Sequence, residues 1–275
     1  AGEIVPLTIL HHNDSHGNLA KGTYVGYTQL ATLIKQERLH NPTRTLLLNG
    51  GDSIQGDAMS YYFKDASAGF ASDGTALPAA LQMNPFIAVS NTMGYTAMTL
   101  GNHEFNFGGK VFTDIFSQAT FPLLGANVSD SGEYGILKTA SGQVPVKDSL
   151  SLSLPTGADD PLKVAVLGIT NHRVPNYELP SNIEGLTFSN PLLKAAELVP
   201  GLKAANDAVI ALTHIGFTED PKSVEVDANV DTNLAMQVAG IDAIIGAHSH
   251  TNPATGFVAY KYLRTIFANP DGDPV

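Results

Sequence analysis

"AMTLGNHEFN", residues 97–106, sets an apolar run directly against a glycine and three polar side chains. Ala97–Leu100 has the length and unbroken hydrophobicity of a strand covered on both faces. Gly101 then permits a turn, or a close approach of its backbone to something else. Asn102, His103 and Glu104 must next find hydrogen bonds, water or a ligand. The pattern recurs along the chain. Leu7–Leu10 runs into "HHNDSHGN", Thr45–Leu48 into "NGGDSIQGD", Ala208–Leu212 into "THIG" and Ala243–Ile245 into "GAHSHT". Val164–Leu167 is a sixth strand-like run.

Helical patterns fill the intervals: Tyr24–Leu39 with Leu30, Leu33 and Ile34 on one stripe, Pro78–Met93, Lys110–Ala119, Pro191–Asn206 strained by Pro200-Gly201, and Thr232–Ala239. Strand alternating with helix predicts an α/β layered domain. Residues 64–76 are small and polar and read as a loop, while 129–161 mixes turn signals with short β-like runs and predicts a hairpin excursion. The last residues, "ANPDGDPV", stop where a further strand is expected, which reads as an incomplete domain.

Ligands of α/β sheets bind outside the carboxyl ends of the strands. Polar residues scattered through the sequence therefore converge there: Asp14, His16, Asp52, Asn102, His103, His214, His248 and His250. Oxygen and imidazole donors suit Zn, Mn, Fe or similar divalent ions. The set is large enough for two ions sharing one carboxylate. Such a pair clamps a phosphate and lowers the pKa of a bound water. A single strand-end histidine is usually structural; five strand ends carrying the same signature are not explained that way. His11, His12, His40 and His172 lack such company and read as surface or packing residues.

Composition narrows the alternatives. The 275 residues carry a net charge of −11, which argues against a basic nucleic-acid-binding face. There is no cysteine, so thiolate nucleophiles, disulfides and Cys-rich zinc sites are excluded. No run is long and apolar enough to be a membrane span. The start, "AGEIVPLTIL", has no basic leader segment; it reads as a mature or trimmed end.

"NDSHGN", "NGGDSIQGD", "GNHEFN", "THIG" and "GAHSHT", in this order, resemble the metallophosphatase domain of the 5′-nucleotidase and 2′,3′-cyclic-nucleotide phosphodiesterase family, within the calcineurin-like metallophosphoesterases. The resemblance spans about residues 5–252. It implies a four-layer α/β sandwich of two mixed sheets flanked by helices. Residues 1–275 would be one catalytic domain, truncated before its last strand and without the family's C-terminal nucleotide-binding domain. It implies that Asp14, His16 and His250 hold one metal, that Asn102, His214 and His248 hold the second, and that Asp52 bridges both. His103 would be the catalytic histidine, stabilising the phosphoryl group in the transition state while activated hydroxide attacks phosphorus. Glu104 is expected to be structural or supporting, and Phe105 to pack.

Many 5′-nucleotidases have Asp three residues after that histidine; this chain has Asn106, which orients the ring but stabilises an imidazolium less. "GNHEFN" resembles the cyclic-phosphodiesterase members, "NDSHGN" and "GAHSHT" the nucleotidases. The implied function is a dinuclear phosphoester hydrolase of the 5′-nucleotidase type, exported to the periplasm, cell surface or medium. The alternatives are a 2′,3′-cyclic-nucleotide phosphodiesterase, another phosphoester hydrolase, and a non-catalytic module that binds metal or phosphate.

Overall fold

The computed structural model describes residues 4–20, 26–132, 134–135, 146–157, 160–217, 230–250 and 270. The strand-like runs become strands close to where they are expected. β1 (Thr8–His12), β2 (Thr45–Asn49), β3 (Ala97–Thr99) and β4 (Leu123–Leu124) form one sheet in that order. All three of its pairings are parallel, so among the described strands this sheet is not mixed as expected. The reason is the connections: α1 (Tyr27–Arg38), α2 (Ala58–Tyr62), α3 (Pro85–Met93) and α4 (Gly108–Phe116) return the chain as crossovers.

The second sheet is mixed. It contains β6 (Ser149–Leu154), β7 (Leu162–Thr170), β9 (Ala208–His214) and β10 (Ala243–Ile245), in the order β10-β9-β7-β6. β6 runs antiparallel to β7, so the predicted hairpin exists, but its second arm is β7 rather than a strand within 129–161. A separate antiparallel pair joins β5 (Val128–Asp130) to β8 (Leu186–Phe188). α5 (Val174–Tyr177), α6 (Pro191–Ala205) and α7 (Asp231–Gln237) complete the described elements.

Period-two alternation produces four layers. Leu46 and Leu48 of β2 face Val164 and Val166 of β7 and Ile210 and Leu212 of β9, forming the core between the sheets. Leu47, one residue out of step, packs with Ile34, Phe86 and Ile115 of the helices outside the first sheet. Leu167, Ile169 and Ala211 likewise turn outward onto Ala195 and Val199 of α6 and Leu234 of α7.

Two helical expectations are corrected. Leu33 is not part of the buried stripe of α1; it is 51% exposed, while Ile34 is 5% exposed. The predicted Pro78–Met93 helix is divided: a single turn at Ala79–Leu81 precedes α3, whose Asn84 caps the Phe86 and Ile87 amides in front of Pro85. The expected Pro191–Asn206 helix forms as α6 and runs through Pro200, with Ala195 and Val199 buried beneath it. The start of the first helical pattern (24–25) and residues 271–275, beyond which a further strand is expected, lie outside the described residues.

Candidate metal centre

β1, β2 and β3 deliver the first five donors from one sheet; β9 and β10 deliver the last three from the other. The two sets meet where the sheets abut. Asp14, His16 and His250 form one group of converging ligand atoms, Asp52, His214 and His248 another, and His16, Asp52 and His103 a third. Asp52 thus belongs to two groups. His250 Nε2 lies 3.2 Å from Asp14 Oδ1 and 3.1 Å from His16 Nε2. His214 Nε2 lies 3.0 Å from Asp52 Oδ2 and 3.9 Å from Asp14 Oδ1.

The outer nitrogens of three histidines are fixed by oxygen acceptors. His214 Nδ1 donates to the Gly50 carbonyl at 2.6 Å, His16 Nδ1 to the Gln55 carbonyl at 3.2 Å, and His103 Nδ1 to Asn106 Oδ1 at 2.6 Å. That assignment leaves Nε2 as the inward-facing atom of each ring. Burial holds His16 and His248 below their usual value, the latter at about 4, so both offer lone pairs at neutral pH. Burial opposes the charge of Asp52, but His214 and the His103 amide (2.8 Å) outweigh it and hold the carboxyl well below the usual range. Burial likewise opposes a charged His214; Asp52 and then Asp14 outweigh it and push the ring up.

These donors fit a cation. Asp14 Oδ1 and Asn102 Oδ1 are buried acceptors without a hydrogen-bond partner. Two imidazole Nε2 atoms and a carboxylate oxygen crowd together where only a proton or a metal ion relieves the repulsion of their lone pairs. Among the described residues, the non-glycine residues with left-handed backbone are Asp14, His16, Asp52, His248 and His250, with φ between 45° and 82°. Every one is a candidate donor of this centre. Backbone of this kind costs about 1–3 kcal/mol per residue and persists where the surroundings impose it.

At Asp52, Glu104 supplies that imposition. It is 1% exposed, and its carboxylate accepts from the amides of Asp52, Ser53 and Gly101, each at 2.7 Å, and from Ile54 at 3.4 Å. Gly101 serves close approach rather than a turn: a Cβ there would lie 2.2 Å from Asp52 Oδ1. Phe105 anchors the same segment, stacked on Phe112 and edge-on to Phe188. His12 is a packing residue between Tyr27 and Tyr95, and His40 is exposed.

Two residues escape the strand-end reading. Asn171 follows β7 and meets the His248 ring, Nδ2 to Nε2, at 3.0 Å. The run "VAVLGITN" carries the signal that found the other donors, in weaker form. Glu178 receives the Asn106 amide group, and nothing local in sequence marks it. A cavity of about 300 Å³ opens beside His248 and is lined by Asn171, His172, Arg173, Tyr177 and Phe217. A second cavity of about 220 Å³, between β1 and α1, is lined mainly by Leu10, Leu30, Leu33 and Leu47 and lies away from the donors.

The calcineurin-like phosphoesterase profile matches residues 7–252. Among curated proteins, the chain is 32% identical over 260 residues to the trifunctional nucleotide phosphoesterase protein YfkN of Bacillus subtilis, covering 90% of this chain and 17% of that protein. It is 30% identical to the 2′,3′-cyclic-nucleotide 2′-phosphodiesterase/3′-nucleotidase of Haemophilus influenzae (90% of this chain, 36% of that one). It is also 30% identical to the 5′-nucleotidase of Bos taurus (98% and 43%). The chain thus spans less than half the length of these relatives. The crystal structure of YfkN superposes with a TM-score of 0.73 at 28% identity, covering 98% of this chain and 80% of that one. Motif order, sandwich and profile agree: the chain belongs to the calcineurin-like phosphoesterase family.

Proposed function

We propose that the protein hydrolyses phosphoesters of nucleotides at a centre of two divalent cations, in the manner of a 5′-nucleotidase. The observation that carries this reading is the convergence of donors from both sheets, with Asp14 Oδ1 and Asn102 Oδ1 buried and without a hydrogen-bond partner. In this reading Asp14, His16 and His250 hold one ion, Asn102, His214 and His248 the other, and Asp52 lies between them. The ions would supply charge neutralisation for the phosphoryl group and a water acidic enough to attack phosphorus near neutral pH. Zn, Mn, Fe and similar ions all suit the donors.

The chain's own residues do the rest. Asn102 and His103 sit on one short turn, and Asp52 Oδ1 holds that turn by the His103 amide. His103 stands 4.8 Å from the His16 ring, centroid to centroid. Its Nδ1 proton is engaged by Asn106, so Nε2 is the inward atom; carrying a second proton, the ring would bond a phosphoryl oxygen through Nε2 or give that proton to the leaving oxygen. The three relatives named above all act, by their names, on nucleotide phosphoesters. Asn106, in the place where many 5′-nucleotidases have Asp, favours a second reading as a 2′,3′-cyclic-nucleotide phosphodiesterase. Export belongs to the same proposal; among the described residues no helix is long and apolar enough to cross a membrane.

The test is turnover of 5′-AMP and 2′,3′-cyclic AMP side by side by the metal-reconstituted full-length protein. Faster phosphate release from 5′-AMP supports the first reading, and faster ring opening the second. Hydrolysis of neither substrate, or full activity in Asp52→Asn, contradicts both.

A further inference from the structure

We propose that Glu178 is a positioning residue for His103, acting through Asn106. The proposal rests on the reading of His103 as the imidazole that meets the substrate. Three links make the chain. His103 Nδ1 lies 2.6 Å from Asn106 Oδ1. The other end of that amide, Nδ2, donates to Glu178 Oε2. Glu178 Oε1 is itself held, by the Leu179 amide at 2.7 Å and by Asn182 Nδ2 at 2.9 Å. Asn182 Nδ2 also donates to the Asn106 carbonyl at 2.8 Å, tying both partners to one turn.

The logic is that of a two-ended amide. Asn106 has one acceptor end and one donor end, and a free side chain could present either to His103. Glu178, as a carboxylate, only accepts. It therefore claims the NH₂ end and leaves Oδ1 to face the imidazole. An acceptor at that place requires a proton on Nδ1, which makes Nε2 the inward atom: a lone pair in the neutral ring, and a donor once the ring takes up a second proton. If the amide were reversed, Nδ1 would become the acceptor and Nε2 would carry the only ring proton. Glu178 thus selects the tautomer of a ring it does not touch, from the segment after β7 and 72 positions beyond Asn106. A carboxylate behind an amide also recovers some of the orientation that a carboxylate in direct contact with the ring would provide.

The test uses the full-length, metal-loaded protein and two readouts. In turnover, Glu178→Ala lowers kcat about tenfold with metal content unchanged, the usual size of effect for a group that orients a reacting side chain. Glu178→Gln, whose amide oxygen still accepts from Asn106, recovers most of that loss. Asn106→Asp alone loses activity because two carboxylates then face each other. Adding Glu178→Gln, whose NH₂ group donates to the new carboxylate, raises activity above that of the single variant. Glu178→Ala within about twofold of wild type, or Glu178→Gln failing to improve Asn106→Asp, overturns the proposal. The second readout is the ¹⁵N spectrum of the His103 ring in metal-depleted protein without substrate. Protonation at Nδ1 in the wild type, giving way to mixed tautomers in Glu178→Ala, supports the relay. Protonation at Nε2 in the wild type overturns it. This readout needs no turnover, so failure of the relay and failure of the hydrolase reading are told apart.

Discussion

Asp52 is held at φ 54° by a carboxylate 52 positions along the chain. Glu104 accepts the Asp52 and Gly101 amides with one oxygen, so the two strand ends are clipped together at the residue proposed to lie between two ions. There is no room for a side chain between them. Gly101→Ala would push a methyl against Asp52 and is expected to cost about 2 kcal/mol of stability, with the centre displaced. Denaturant unfolding of the variant checks this; wild-type stability would show that the contact yields freely. Asp231 gives a second residue-scale prediction. It is 6% exposed and accepts from Thr213 Oγ1 at 2.5 Å; burial pushes its carboxyl up to about 7, against smaller opposing pulls from Thr213 and His214. The unfolded chain releases this proton near its ordinary value of 3.8, and the folded one near 7. Between those values the folded state binds more protons, so this group's stabilising contribution is full below the lower value and falls as pH rises. The full difference is of the order of 4 kcal/mol. In metal-depleted protein, the stability of Asp231→Asn relative to wild type should therefore improve from pH 4 to 7. A relative stability that does not change with pH contradicts the assignment.

At the scale of elements, the strands were legible because β2, β7 and β9 are buried on both faces, and burial leaves an unbroken apolar run in the sequence. The candidate donors were legible because they end or follow apolar runs at β1, β2, β3, β9 and β10. Helix ends were less so: the Pro78–Met93 pattern concealed an Asn84 cap and a separate turn, since apolar spacing alone does not register a break. What the sequence hides is pairing at long range. Glu104 on the Asp52 turn, Glu178 on Asn106 and the β5–β8 pair depend on contacts between segments tens of residues apart. The left-handed donors are hidden too, because Asp and His carry no mark of positive φ. The layer assignment makes its own prediction. Leu48 is fully buried between the sheets, whereas Leu33 on α1 is half-exposed. Leu48→Ala should cost about 2–5 kcal/mol and Leu33→Ala less than about 0.5 kcal/mol in denaturant unfolding. Equal losses would mean that the inter-sheet layer is wrongly drawn.

At the scale of the molecule, the centre is a product of the whole sandwich. Sheet one carries Asp14, His16, Asp52, Asn102 and His103; sheet two carries His214, His248 and His250. Contacts across the seam join them: His214 to Asp52 at 3.0 Å, His214 to the Gly50 carbonyl at 2.6 Å, and His250 to Asp14 at 3.2 Å. Neither sheet holds a complete donor set, so the site forms only when the inter-sheet core closes. Two aspartates and five histidine rings gathered in one place form a donor set able to hold divalent cations. The most direct measurement is anomalous diffraction from a crystal of the protein grown with Mn²⁺. Two anomalous peaks are predicted, one among Asp14, His16 and His250 and one among Asn102, His214 and His248, with Asp52 touching both. A single peak, or none among these residues, contradicts the dinuclear centre and the hydrolase built on it.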